Sequence, residues 1–66
     1  MNDVETLKAE IRKLSAKSTQ AKMDLHDLSE ELPVNWQSIL GVAQRAHDAF
    51  SELELKRAIL KTLETA

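Results

Sequence analysis

The sequence predicts an all-α protein: an antiparallel two-helix hairpin that dimerises into a four-helix bundle. Apolar and small residues alternate three and four positions apart through the first half of the chain, which is the spacing of one helix face. Pro33 interrupts this pattern, and a second apolar stripe follows almost at once. Because the link is so short, the two helices must lie antiparallel, each ~28 residues and ~42 Å long. With 66 residues in all, we expect one domain, residues 1–66.

The first helix is predicted over about 3–31. Asn2 and Glu5 have the spacing of a capping pair at its start. Pro33 lacks a backbone donor and disfavours helical angles at the residue before it, so the helix should end at Glu31. One narrow stripe runs along this helix through Val4, Leu7, Ile11, Leu14, Ser18, Ala21, Leu25, Leu28 and Leu32.

The second helix is predicted over about 36–64. Asn35 is a favoured N-cap residue, and Val34 and Ile39 occupy the two positions of a hydrophobic staple. The helix should therefore open at Trp36. Its broader stripe consists of Trp36, Ile39, Val42, Ala43, Ala46, Ala49, Phe50, Leu53, Leu60 and Leu63.

Folding the chain about the turn matches residues of complementary size across the seam. The expected pairs are Leu28 with Ile39, Ala21 with Ala46, Leu14 with Leu53, and Leu7 with Leu60. Phe50 should fall near the small Ser18. Arg57 interrupts the second stripe, and its guanidinium is expected to reach Glu10 or Asp3.

A second copy is expected because a hairpin has a single inner seam and the chain has no Cys to cross-link it. Leu55 and Ile59 point away from the main stripe of the second helix at helical spacing, so a lone hairpin would leave them in water. We therefore predict a homodimer with Leu55 and Ile59 at its interface.

Composition excludes several classes of function. Without Cys there is no thiolate nucleophile or Cys-held metal, and one Gly cannot form a phosphate-binding loop. No nucleophile and base emerge from two His and scattered Ser, so we expect no enzyme and no cofactor. No apolar run approaches a membrane span, which makes a cytoplasmic protein the expectation.

The candidate binding surface is the outer face near the end of the first helix. Met23, His26, Asp27 and Glu30 project there, away from the seam. An exposed Met beside His and carboxylates is typical of an adaptable protein-binding surface. Trp36, at the same end, either closes the core or docks a partner.

Three alternatives remain open from the residues. Residues 24–31 contain four acidic residues and no Lys or Arg. Their negative charge either offsets the positive end of the second helix's dipole or attracts a basic partner. The basic stretch Lys8, Arg12, Lys13, Lys17 and Lys22 is a candidate RNA contact, although nucleic acid is not the expected partner at a net charge of −2. His26 with Glu30, or His47 beside Asp48, offers two metal ligands, an incomplete set; we predict no metal site, and a small metal-binding accessory protein using His26 or His47 is kept as an alternative function.

The order of these motifs resembles the Rop-like family of small proteins encoded in bacterial nitrogen-fixation gene clusters. The resemblance rests first on Lys22-Met23-Asp24-Leu25-His26-Asp27-Leu28, then on Leu32-Pro33 and Trp36. It continues through Val42-Ala43-Gln44, Ala49-Phe50, Leu53, Arg57 and Leu60-Lys61.

The resemblance implies paired helical hairpins and an accessory role in nitrogen fixation. Such a role would make a nitrogenase or nitrogenase-maturation protein the partner. The family brings no catalytic residues, and its name, which reflects likeness to an RNA-binding regulator, does not imply RNA binding here.

Overall fold

A computed structural model describes residues 3–65, which form a hairpin of two long α-helices. Helix α1 spans Asp3–Glu31 and helix α2 spans Ile39–Thr65, with a short 3₁₀-helix over Trp36–Ser38 between them. Salt bridges join Lys8 to Glu64 and Glu10 to Lys56, so the start of α1 lies beside the end of α2. The predicted all-α antiparallel hairpin is confirmed.

The start of α1 agrees with the prediction, and the expected capping partner Asn2 lies outside the described residues. The helix also ends at Glu31, as predicted. Pro33 follows, and the chain leaves the helix in tight turns. Backbone hydrogen bonds from Leu32 to Leu28 and from Val34 to Glu31 close the last turn. The Leu32–Pro33 peptide bond is cis.

The start of the second helix differs from the prediction. Asn35 is not a side-chain cap: it has φ 62° and ψ 25°, in the left-handed region, and its side chain makes no capping hydrogen bond. Its backbone carbonyl instead accepts a hydrogen bond from the Ser38 N–H at 2.9 Å. Asn tolerates left-handed angles better than most residues, so it reverses the chain there. The α-helix then begins at Ile39 rather than Trp36.

The core is a line of residues along the inner seam. In α1 it contains one position per heptad together with a serine, namely Leu7, Leu14, Ser18, Ala21 and Leu28. In α2 the buried residues are Ala46, Ala49 and Leu53. Ala21, Ala46 and Ala49 form one buried cluster, as expected for the pairing of Ala21 with Ala46. These small side chains let the helices approach closely at mid-length.

Several residues of the two predicted apolar stripes are exposed. Leu25 and Phe50 were expected in the seam but are 38% and 42% exposed, and Leu32 and Ile39 are similarly uncovered. A helix packed against one neighbour covers one side of its apolar stripe and leaves the other side in water. The hairpin measures 49 × 15 × 14 Å, too thin to bury both sides.

Candidate functional site

The outer face of α1 near its C-terminus carries the predicted binding residues. Met23, His26, Asp27 and Glu30 are all exposed, and Met23 is 54% accessible. The helix is continuous from Asp3 to Glu31, so residues three and four apart share a face. The structure thus places these four side chains together on a surface that the hairpin does not use.

The side chains of His26 and Glu30 are in contact on this face. His26 Nε2 lies 2.7 Å from Glu30 Oε1, and both side chains are about two-thirds exposed. The His26 carbonyl also accepts a hydrogen bond from the Ser29 hydroxyl at 2.7 Å. The pair orients the imidazole along the helix and presents polar groups beside Met23.

Each of the two histidines lies beside one carboxylate on the surface. His47 Nδ1 is 3.4 Å from Asp48 Oδ1 on α2, in an exposed position, while Asp48 also accepts from Gln44 Nε2 at 2.8 Å. Among residues 3–65 no three His, Asp or Glu side chains are grouped as metal ligands. Each histidine therefore offers a two-group arrangement, which is short of the three or four protein ligands usual for zinc.

Trp36 lies in the 3₁₀-helix at the tip of the hairpin and is 59% exposed. Its indole does not close the end of the core in this hairpin. Val34, which was expected to pack against Ile39 as a hydrophobic staple, is 62% exposed, and Leu40 is 83% exposed. The signal for Leu40 was its place outside the stripe of the second helix.

Leu55 and Ile59 on α2 are 59% and 41% exposed. The hairpin leaves both in water, and their part in a dimer interface stays a prediction.

The basic stretch of α1 is partly engaged with carboxylates. Lys8 Nζ lies 3.8 Å from Glu64 Oε2. Lys13 lines a groove of about 280 Å³ whose other walls are Glu10, Leu14, Glu52 and Lys56. It is Lys56, and not Arg57, that reaches Glu10, at 3.2 Å. The groove mixes both signs of charge, which does not suit a phosphate backbone.

Within the described residues, neither helix combines the length and the apolar character that crossing a membrane requires.

Similar proteins share both the sequence and the hairpin. The chain is 67% identical over 64 residues to a UPF0437 protein of Azorhizobium caulinodans, covering 97% of this chain and 93% of the relative. It is 45% identical over 53 residues to a Frankia alni protein described as a UPF0437 protein in the nifX-nifW intergenic region, covering 80% and 65% of the two chains.

A solved structure has the same fold. A solution structure by NMR from the Northeast Structural Genomics Consortium matches with a TM-score of 0.91 and 42% identity, over 98% of this chain and 92% of the other. A sequence model of the Rop-like family matches residues 2–65. The predicted resemblance is confirmed, and the chain belongs to the Rop-like family.

Proposed function

We propose that this protein is a non-enzymatic accessory protein of nitrogen fixation that acts in the cytoplasm by binding another protein. The gene setting of the Frankia relative supports the link to nitrogen fixation. A nitrogenase or nitrogenase-maturation protein is the partner that this setting favours. The binding surface is the outer face Met23, His26, Asp27 and Glu30, with Trp36 at the tip.

The observation that carries this proposal is the exposure of Met23. Met23 is 54% accessible and is not among the buried residues of the seam. Its flexible thioether suits contact with another protein surface. The His26–Glu30 pair beside it supplies polar groups that fix orientation.

The test is affinity capture from a nitrogen-fixing cell extract, followed by binding of the recovered protein in purified form. The variant is Met23→Lys/His26→Ala. Its matched control, Ala16→Lys/His47→Ala, also introduces one Lys and removes one His, at exposed positions outside this face. Wild type and control should bind one nitrogenase or maturation component, and the Met23 variant should not. Equal binding by all three folded proteins overturns the assigned surface.

Nuclease treatment decides between this proposal and the RNA alternative. A recovered complex that disappears with nuclease, with affinity that falls steeply as salt rises, would replace the adaptor with an RNA-binding protein acting through the basic stretch of α1.

We further propose that two hairpins associate into a four-helix bundle. Leu55 and Ile59 are one candidate interface. A second runs along α1 to the residue after it: Val4, Ile11, Leu25 and Leu32 follow a seven-residue spacing and are not buried, whereas Ser18, at the central position, is 1% exposed within the hairpin. In an antiparallel two-fold pairing, 4 faces 32 and 11 faces 25, so the same residues cover each other.

Sedimentation equilibrium distinguishes the two interfaces. Leu25→Glu and the pair Leu55→Glu/Ile59→Glu each place charge in one candidate face. The variant that converts the dimer to monomer identifies the interface. A wild-type protein that is a folded monomer at micromolar concentration overturns the dimer.

A further inference from the structure

The tip of the hairpin carries an apolar surface made of Val34, Trp36 and Leu40, here called the apolar tip. Its side chains are 62%, 59% and 83% exposed. Successive turn hydrogen bonds, from Val34 N–H to Glu31, Trp36 N–H to Pro33 and Ser38 N–H to Asn35, hold this short stretch in a compact path. Three large apolar side chains are thus exposed within one short stretch at the end of the hairpin.

The half-covered seam does not account for the apolar tip. Leu25, Ile39, Phe50 and Leu63, which belong to the predicted stripes, are between 37% and 45% exposed, as expected for residues at the edge of a seam. Val34, Trp36 and Leu40 exceed that range. Leu40 directly follows the stripe residue Ile39, so it is turned by about 100° from the seam. Its exposure would persist beside a second hairpin packed on the seam.

The charge around the apolar tip is mainly negative, and its nearest cation is Arg45, whose guanidinium lies beside Gly41. Residues 23–44 contain Asp24, Asp27, Glu30 and Glu31 and no Lys or Arg, whereas the rest of the chain has nine Lys and Arg against seven Asp and Glu. All four carboxylates are exposed. Glu30 pairs with His26, and within residues 3–65 neither Asp27 nor Glu31 has an ion-pair partner. The last turn of α1 has no basic residue, so these acids oppose the helix macrodipole without local compensation.

This charge selects among occupants of the apolar tip. An anionic lipid surface or a nucleic acid would be repelled by the carboxylates. A second tip carries the same four acids, so contact between two tips is disfavoured. A protein segment with apolar residues on one side and Lys or Arg beside them matches both features of the surface.

We propose that the apolar tip and its four carboxylates dock a basic amphipathic segment of the protein partner. This inference rests on the proposed function and names the chemistry of the partner. Apolar side chains of the segment pack on Trp36 and Leu40, while its cations meet Asp27 and Glu31. Desolvation of the apolar residues contributes affinity, and the charges contribute association rate and discrimination against acidic partners.

Trp36 is the sole tryptophan of the chain and lies in the proposed contact, so its fluorescence reports binding directly. The probe is a tryptophan-free helical peptide with Leu on one face and Lys on the other. One control peptide has Glu in place of Lys, and another has Ser in place of Leu. Titration with the Leu/Lys peptide should shift Trp36 emission to shorter wavelength, and neither control peptide should do so.

Variants test the two features separately. Leu40→Ser should lower the affinity for the Leu/Lys peptide roughly tenfold. Asp27→Asn/Glu31→Gln should weaken it roughly fivefold at low salt, with little effect at high salt. Glu5→Gln/Glu54→Gln removes the same charge at exposed positions far from the tip and should leave the affinity unchanged.

Equal binding of the Lys and Glu peptides, or unchanged affinity in both tip variants, overturns the inference. Failure of the proposed function is distinguishable, because it is measured with the recovered partner and the Met23→Lys/His26→Ala variant. One outcome is a recovered partner that fails to bind Met23→Lys/His26→Ala yet binds Leu40→Ser and Asp27→Asn/Glu31→Gln as tightly as wild type. That result supports the proposed function and contradicts the docking of a basic segment at the tip.

Discussion

Lys56 Nζ lies 3.2 Å from Glu10 Oε2, and this ion pair fastens α2 to α1 beside the buried Leu14. The lysine side chain is 30% exposed and the glutamate side chain 45%. The stem of Lys56 lines the same groove as Leu14, so its methylenes cover apolar surface while the ammonium remains at the rim.

A double-mutant cycle on this pair should give a coupling free energy of about 0.5 kcal/mol, typical of a partly exposed ion pair. The variants are Lys56→Met, Glu10→Gln and their combination, measured by urea denaturation at one fixed protein concentration. The pair Lys8 and Glu64, at 3.8 Å, is the matched comparison and should couple more weakly. Coupling that is unaffected by 1 M salt would contradict an ionic origin.

Ser18→Ala should raise the free energy of unfolding. Ser18 is 1% exposed and its hydroxyl has no hydrogen-bond partner, so burial removes water from a polar group without replacing it. Ser51→Ala, at an exposed position of α2, is the control for helix propensity alone. We expect Ser18→Ala to stabilise by about 1 kcal/mol more than the control, measured by thermal and urea unfolding. Equal effects would mean that the hydroxyl finds a partner in solution.

Substitutions of Asn35 test whether the turn depends on its left-handed backbone or on side-chain capping. If its left-handed backbone is what matters, Asn35→Gly should keep or raise stability, and Asn35→Thr should lower it by about 1 kcal/mol because a β-branched residue resists φ 62°. If side-chain capping mattered, Thr would serve and Gly would not improve on Asn. Chemical denaturation of the two variants and wild type distinguishes these outcomes.

Gly41→Ala should stabilise α2 by up to about 1 kcal/mol. A Cβ at this position meets only Arg45 Nη1 at 3.8 Å, an ordinary van der Waals contact. Ala58→Gly, at an exposed position on the same helix, should lower stability by a similar amount and serves as the reciprocal control. The check is the thermal midpoint by circular dichroism; a loss of stability in Gly41→Ala would show that the tip needs glycine at this position.

The limits of α1 were predictable because they depend on local chemistry. Pro33 ends the helix wherever the rest of the chain lies, and Leu7, Leu14, Ala21 and Leu28 are buried because they repeat on one face. The start of α2 was not predictable in the same way. Asn35 suits both a cap and a left-handed turn, and the path between two packed helices decides between them.

The side chains whose positions differ from the prediction do so for separate reasons. Neighbours on a helix point about 100° apart, so one position separates Lys56, which reaches Glu10, from Arg57, which does not. Leu25 and Phe50 belong to the apolar stripe, but a single partner helix covers only part of it. The apolar tip was not predicted because Val34 was expected to pack against Ile39 and Leu40 lies outside the stripe of the second helix, whereas both are exposed.

The rod shape sets the geometry of any assembly built from this chain. One hairpin is 49 Å long, and an antiparallel pair carries its two tips at opposite ends of a body of about that length. If two hairpins pair in this way and the tips bind as proposed, the pair is a bivalent spacer whose tips engage two separate molecules, or two sites on one large complex set a comparable distance apart. Avidity then arises only on surfaces with matching spacing, so a small isolated partner would be bound once per tip, without cooperative gain.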